Sequence, residues 1–429
     1  MRYQRPLLTI IMMCAGVSLT LHAAEQASIK RQEPERQGDF WEQRVECSLP
    51  VRAGARLVVR ADAGSVAVKP GAAERMECQV RLRVHTSDEA KARHYFEAYE
   101  LSVRPLEGGG AYLSGRSPRE GRNFLQGGAD FQIAVPARFN ADVETKGGGI
   151  DVEKLDGELV GVTAGGNIRT GDVSGATRVE TAGGSIHLGD IGSRLEARTA
   201  GGGIRAGNVK GNATLETSGG EIVAGQIAGS LTAQTAGGDV VLRGATGAIA
   251  AQTAGGQILI GESGGSVLAQ TAGGSIRLLG SRGRMEVKTA GGSIDLWQIR
   301  SAVDAATAAG RILAQIDPSD KTFSACEFQN ASGDVLVYLP PGLPLTIDAA
   351  IDAAAGHDIL TDFPLKIQRQ KDSFVQGTMS GHGDLNGGGE VLRIRTVSGN
   401  IEIRKLDART QERLKESQDS FWKRWEEEK

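Results

Sequence analysis

An 18-residue unit repeats ten times in register between Thr145 and Gly310, and no other feature restricts the fold as tightly. Each copy opens on Thr-Ala-Gly-Gly or a near variant, at Thr145, Thr163, Thr181, Thr199, Thr217, Thr235, Thr253, Thr271, Thr289 and Thr307. The second Gly of that motif is Gly in all ten copies. Two residues past it stands Ile or Val, from Ile150 and Ile168 to Ile294 and Ile312. A fixed period of this length predicts a solenoid, in which each unit buries its apolar side only against its neighbours.

The copy that begins at Thr181 shows how one coil is built. Ser185–Leu188 and Arg194–Arg198 read as short strands, with Ile186, Leu188, Leu195 and Ala197 inward and Ile191 inward from the turn between them. Thr at the first position is expected to form an inward ladder and bond a neighbouring coil's backbone. The second Gly is expected to take a positive φ, which only Gly adopts without cost. The inward positions fall at uneven intervals, in two strands rather than three apolar-led hexads. That favours an all-β, right-handed parallel β-solenoid. Ten coils at a strand spacing of about 4.8 Å make a rod of roughly 50 Å.

Composition agrees. The chain has 60 Gly but only 12 Pro and no Gly-X-Y period, which excludes collagen. Aromatics are 4% of residues, so the core must be built from Ile, Val, Leu, Ala and Thr. Net charge is -3 with both signs interspersed, which lacks the basic stripe of a nucleic-acid binder.

The 429 residues divide into six parts. Residues 1–23 read as a cleaved signal peptide: Arg2 and Arg5 precede an uncharged run from Leu7 to Leu21, with a small residue, Ala23, before the cut. The run is short for a membrane span. Met13 before Cys14 departs from a lipoprotein motif. Residues 24–39 are polar and read as a linker. Residues 40–144 alternate apolar and polar, as an N-terminal β-domain that caps the solenoid. One helix there has Ser87 as its cap and Ala92, Tyr95, Phe96 and Tyr99 as its apolar face. Residues 145–312 are the regular solenoid. Residues 313–404 are irregular coils, because Asp317-Pro318 interrupts the register before Asn330-Ala-Ser-Gly-Asp-Val and Thr396-Val-Ser-Gly-Asn-Ile resume it. Residues 405–429 form an amphipathic helix whose stripe is Leu406, Leu414, Phe421 and Trp425. It is expected to cover the open edge of the last coil; the alternative is a partner-binding helix. Cys47 and Cys78 lie in strand-like runs. An oxidising compartment permits a bond between them, and three free buried thiols including Cys326 is the other reading.

These features resemble the bacterial "putative adhesin" β-strand-repeat family. The likeness is carried by the stretch Phe131–Ile150 (FQIAVPARFNADVETKGGGI), by Gly387–Arg404 (GGGEVLRIRTVSGNIEIR), and by Val335–Pro340 and Asp358–Leu365. It spans about residues 45 to 404. It implies an extracytoplasmic β-solenoid, adhesive or linked to envelope stress, and supplies no catalytic residue.

Chemistry on a solenoid must come from columns of equivalent residues on adjacent coils. The column after the repeated Ile holds Arg169, His187 and Arg205 as a basic strip, then Val223, Val241 and Leu259 as an outward apolar strip. The latter is the candidate interface, extended by Leu279 and Trp297, and Phe421 and Trp425 of the terminal helix are further contact candidates. Glu286 and Asp304 are adjacent carboxylates, which perturb one another's pKa if unpaired. No His or Cys has metal-ligand spacing, and the Gly clusters lack the strand–loop–helix context of a cofactor site. No catalytic residue, metal or cofactor is therefore assigned. The expectation is a non-enzymatic periplasmic or secreted scaffold, adhesin-like, with an envelope protein or glycan as partner, no nucleic acid and no membrane anchor in the mature chain. The alternatives are a polysaccharide-acting enzyme using Asp348, Asp352 and Asp358, and an envelope-stress component that signals through its terminal helix.

Overall fold

The computed structural model describes residues 27–72, 74–118, 127–317, 323–370 and 377–427; at 417 and 419–427 only the backbone is described. The signal-peptide residues lie outside them. The chain is a parallel β-solenoid of two long sheets. The first holds the strand that follows each Gly pair (Ile150–Val152, Ile168–Thr170, Ile186–Leu188 and so on), and the second holds the strand that ends on each Thr (Asn140–Thr145, Leu159–Thr163, Thr177–Thr181). Partners are 18 residues apart: Ile168 lies on Ile186, and Thr163 on Thr181. A third inward column, Leu155, Val173, Ile191, Val209 and Ile227, is joined by isolated parallel bridges. From Ile222 to Ile299 the first-sheet strands lengthen to six residues and absorb that column.

The core runs unbroken along the stack. Ile168, Ile186, Ile204, Ile222, Val240, Ile258, Ile276, Ile294 and Ile312 are all 0% exposed. Each such side chain contributes about 1.5–3 kcal/mol relative to solvent. The Thr column also points inward, as expected. Thr163 Oγ1 donates to Gly148 O at 2.7 Å, Thr181 to Gly166 at 2.8 Å and Thr199 to Gly184 at 2.7 Å, always one coil back. Each buried hydroxyl thereby satisfies itself and ties two coils together.

The second Gly is required for a different reason from the one the sequence suggests. Among these ten residues only Gly310 has a positive φ. The others stack so closely that a Cβ would strike the backbone of the preceding coil: Gly166 on Gly148, Gly184 on Gly166, Gly256 on Gly238, Gly292 on Gly274. The first Gly is less confined; a Cβ on Gly183 would sit 3.5 Å from Gly165 O. Close approach, not backbone handedness, fixes the motif.

Both ends depart from the expected division. Residues 28–31 and 35–37 are not linker: both strands pair antiparallel with Phe40–Pro50. Polar composition misleads here because an exposed strand needs only a neighbour's free edge. The N-terminal region is no separate domain either. Arg56–Ala61 and Val66–Pro70 form a first coil lying in register on Asn140–Thr145 and Ile150–Val152, and one core spans Trp41 to Ile403. Helix α1 (Glu89–Ala98) buries Ala92, Tyr95 and Phe96 as expected, but its cap is Asp88, which accepts from Lys91 N, rather than Ser87. Cys47 faces Cys78 across the antiparallel pair Phe40–Pro50/Arg75–His85, Cα–Cα 5.0 Å, and the two are disulfide-bonded. Cys326 is a free, buried thiol, its pKa pushed up to about 12 by burial.

At the C-terminal end the stacking order leaves the sequence order. Cys326–Ser332 lies on Val303–Ala309, then Val391–Ser398 lies on Cys326–Ser332, and Leu345–Ile351 lies beyond that. The last coil of the chain is thus inserted between two earlier ones. It keeps the coil chemistry: Asn330 Nδ2 donates to Gly310 O at 2.8 Å and Thr396 Oγ1 to Gly333 O at 3.2 Å. Helix α2 (Ala408–Glu427) leaves from this inserted coil. Its Leu414 and Gln418 are buried, and Gln418 Nε2 donates to Gln315 Oε1 at 3.2 Å. Gln315 points outward from the first sheet, so α2 lies against the side of the stack and does not plug its end. No helix among the described residues is long and apolar enough to cross a membrane.

Candidate functional site: a groove along the coils

A concavity follows the corner where the second sheet turns into the Gly pair. It is an open groove of about 750 Å³ that spans six Thr rungs, from Thr145 to Thr235. At a strand spacing of about 4.8 Å its length is roughly 24 Å. The floor is the Thr column with the exposed methyls of Ala164, Ala182 and Ala200. One wall is the residue just before each Thr: Glu144, Val162, Glu180, Arg198, Glu216 and Gln234. These stand at one height because each ends an identical strand.

Ion pairs fix half of the wall. Arg60 Nε reaches Glu144 at 3.2 Å, and Arg198 bridges Glu196 and Glu216, both at 3.2 Å. Glu180 has no ion pair among the described residues. At one end Lys146 Nζ meets Asp62 at 2.6 Å. At the other the wall becomes a glutamine ladder, Gln234 to Gln252 at 3.0 Å and Gln252 to Gln270 at 3.2 Å, whose amides bond one another. The sequence reading missed this site. Aligning the repeats on Thr and reading the position just before it would have shown the row of long polar side chains.

The sequence-predicted candidates fare unequally. Val223, Val241 and Leu259 do form one outward column. It is not an open strip: Val241 is 7% exposed, and only Val223 and Leu259 remain half-buried. Leu259 joins a second apolar cluster outside the main core, in which Leu279, Trp297 and Leu313 are buried and Leu336 and Tyr338 partly so. Leu259 is shielded by its neighbours in that cluster, and α2 meets the same sheet further along the stack, where Gln418 bonds Gln315. Phe421 and Trp425 belong to the backbone of α2, but their side chains lie outside the described residues.

The charged candidates are spoken for. Arg169, His187 and Arg205 stack as expected, yet Arg205 is held by Glu221 at 2.5 Å. Burial first, then Arg169 and Arg205, hold the His187 imidazole below its ordinary pKa of 6.5. Glu286 and Asp304 are adjacent, but Lys288 sits between them at 2.7 and 3.8 Å. Its hydrogen bond lowers the Glu286 pKa, the reverse of a like-charge dyad. Asp348 is paired with Arg395 at 2.9 Å and Arg393 at 3.6 Å, Asp358 with Arg369 at 2.5 Å, and Asp352 is exposed. Asp348 lies in the second sheet and Asp358 precedes a strand of the first, so the three do not converge. Among the described residues no group of His, Cys, Asp and Glu is arranged to hold a metal ion.

No family model and no curated protein matches the chain. Solved structures it is similar to include a "putative cell adhesion protein" from Clostridium sporogenes, at 8% identity over 87% of this chain and 100% of that one, TM-score 0.17. Another is a "putative adhesin" from Bacteroides fragilis, at 13% identity over 62% and 96%, TM-score 0.22. A third is a "putative lipid binding protein" from Parabacteroides distasonis, at 10% identity over 71% and 94%, TM-score 0.16. At such TM-scores the chain paths do not superpose as whole folds, so these likenesses bear no weight for function.

Proposed function

We propose that this protein is a non-enzymatic, extracytoplasmic, adhesin-like scaffold that presents a rigid solenoid surface to an envelope protein or a glycan. The observation that carries the reading is the groove: a straight, open row of six equivalent rungs with pinned side walls. Such a surface is preorganised, so little conformational entropy is lost when a long partner lies along it. Export is supported by the charged-then-apolar run at the N-terminus and by the Cys47–Cys78 bond, which an oxidising compartment sustains. The carboxylates that adjacency or the irregular coils singled out for catalysis, Glu286 and Asp348, are engaged by Lys288 and by Arg393 and Arg395, which disfavours them as proton-exchanging groups.

The test is to incubate the purified protein with a panel of envelope polysaccharides and envelope protein extracts. Retention and new reducing or unsaturated ends are assayed together. Retention of a partner with no new ends is the expected result. Appearance of products would make the protein an enzyme and overturn the proposal.

A further inference from the structure

Resting on that presenter role, we infer that the Thr145–Thr235 groove is a binding site for an extended, uncharged polysaccharide laid parallel to the stack axis. The groove crosses the strands at right angles and repeats itself at every coil. Its ligand is therefore linear and periodic. A polypeptide finds no ladder to join there, because the backbone groups that point along this axis already bond the neighbouring coil: Thr217 N to Gln234 O at 2.9 Å and Thr235 N to Gln252 O at 3.0 Å. Nor is there a deep apolar pocket to anchor a side chain; the floor offers only Ala methyls and half-buried Val162.

Charge and ring chemistry narrow the class further. A polyanion requires a row of uncompensated cations. Here Lys146 is bound to Asp62, and Arg198 to Glu196 and Glu216. A nucleic acid strand also requires aromatic platforms for its bases, and among the described residues no aromatic lines the groove. What the walls do offer is hydrogen bonding, with a small acidic excess (Glu144, Glu180 and Glu216 against Lys146 and Arg198) that disfavours a polyanion. The Glu180 carboxylate and the Gln234 Oε1 accept, and Arg198 donates through guanidinium N–H groups beyond those its glutamates take. Those are the groups that pair with adjacent sugar hydroxyls, while the C–H faces of the rings lie on the methyls of Ala182 and Ala200. The ends of the site are set by the Lys146–Asp62 pair and by the glutamine ladder, whose amides are committed to one another.

The full chain is titrated calorimetrically with mixed-linkage β-glucan, hydroxyethyl cellulose and dextran as neutral probes, and with dextran sulfate as the polyanion. Two variants are compared. Ala182→Trp fills the groove from an exposed turn position; Ala254→Trp makes the same change at the equivalent exposed position one coil past Ala236, where the groove ends. Both should melt like the parent. At least one neutral probe should bind, with affinity rising with chain length until the groove is spanned. Ala182→Trp should weaken it by about tenfold or more while Ala254→Trp leaves it unchanged, because weak contacts repeated along a rigid row are lost together when the row is blocked. Failure of all neutral probes, or preference for dextran sulfate, overturns the ligand class. Equal binding by Ala182→Trp and the parent overturns the groove assignment and leaves the presenter role standing. New reducing ends would instead overturn the presenter role itself.

Discussion

The regular stack and the C-terminal coils obey the same local rules and differ in how the chain visits them. Between Thr145 and Gly310 each rung bonds the rung one repeat behind it, as Thr181 does Gly166 and Thr289 does Gly274. Near the C-terminus the partners are far apart in sequence: Thr396 bonds Gly333, Asn400 N bonds Asp334, and Asp358 N bonds Asn400. The lesson is that coil identity is set by a few positions, namely a buried hydroxyl or amide, a closely stacked Gly and an inward Ile. Coil order is set only by chain length between them. Where length is constant the order is fixed; where it varies, a late coil can slip between two early ones.

The largest break in this comparison should come from the Gly column. Gly184→Ala places a methyl against Gly166 and should cost about 3 kcal/mol or more in chemical denaturation, as an overpacked core does. Gly183→Ala, one residue earlier, should stay within about 0.5 kcal/mol of the parent, since ordinary contact is all its methyl would meet. Equal effects would refute the stacking explanation.

Next is the Thr ladder. Thr199→Val removes a bond to Gly184 at 2.7 Å and should cost about 1–2 kcal/mol, leaving a buried carbonyl unsatisfied. Thr396→Val, whose bond to Gly333 is 3.2 Å, should cost less. A larger loss at Thr396 would mean that the inserted coil is the tighter of the two regions.

A smaller effect is local. Leu414→Asp should unseat α2, seen as faster amide exchange across Ala408–Glu427 and easier proteolysis, with protection of the regular coils unchanged. Global unfolding in that variant would show α2 to be integral to the stack.

The least effect concerns pH. His187 binds its proton less readily in the fold than in the open chain, because burial and then Arg169 and Arg205 disfavour the charged ring. The unfolded state holds more protons through this range, so stability falls as pH drops below the ordinary imidazole value. His187→Gln should flatten that part of the stability–pH curve; an unchanged slope would assign it elsewhere.

Much of this fold was legible in advance. Thr145 to Gly310 announced coils, inward Thr and inward Ile, because period and residue type alone determine which side chains face the core. The φ of Gly184 was misread, since closeness to Gly166 is a property of two coils and invisible within one. The order of the last coils was hidden because Cys326 follows Val303 by 23 residues and not 18, which erases the register. The apolar column at Val241 was visible, but the seat of α2 was not: nothing in the sequence shows that Gln418 meets Gln315. The groove was overlooked because Glu180, Arg198 and Glu216 resemble ordinary solvated residues until their common height is seen.

The central claim is that the structure is a stack of interchangeable 18-residue coils, and deletion tests it most directly. Removing residues 199–216 takes out one whole coil and should leave a protein that unfolds cooperatively close to the parent, with Thr217 now lying on Thr181. Removing residues 199–215, one residue fewer, puts Glu216 where Thr199 stood, forces a bulge into one coil and should give a protein that unfolds well below the whole-coil deletion. If thermal unfolding showed the two deletions to be tolerated equally, or to be equally destructive, the coil-by-coil account would be wrong.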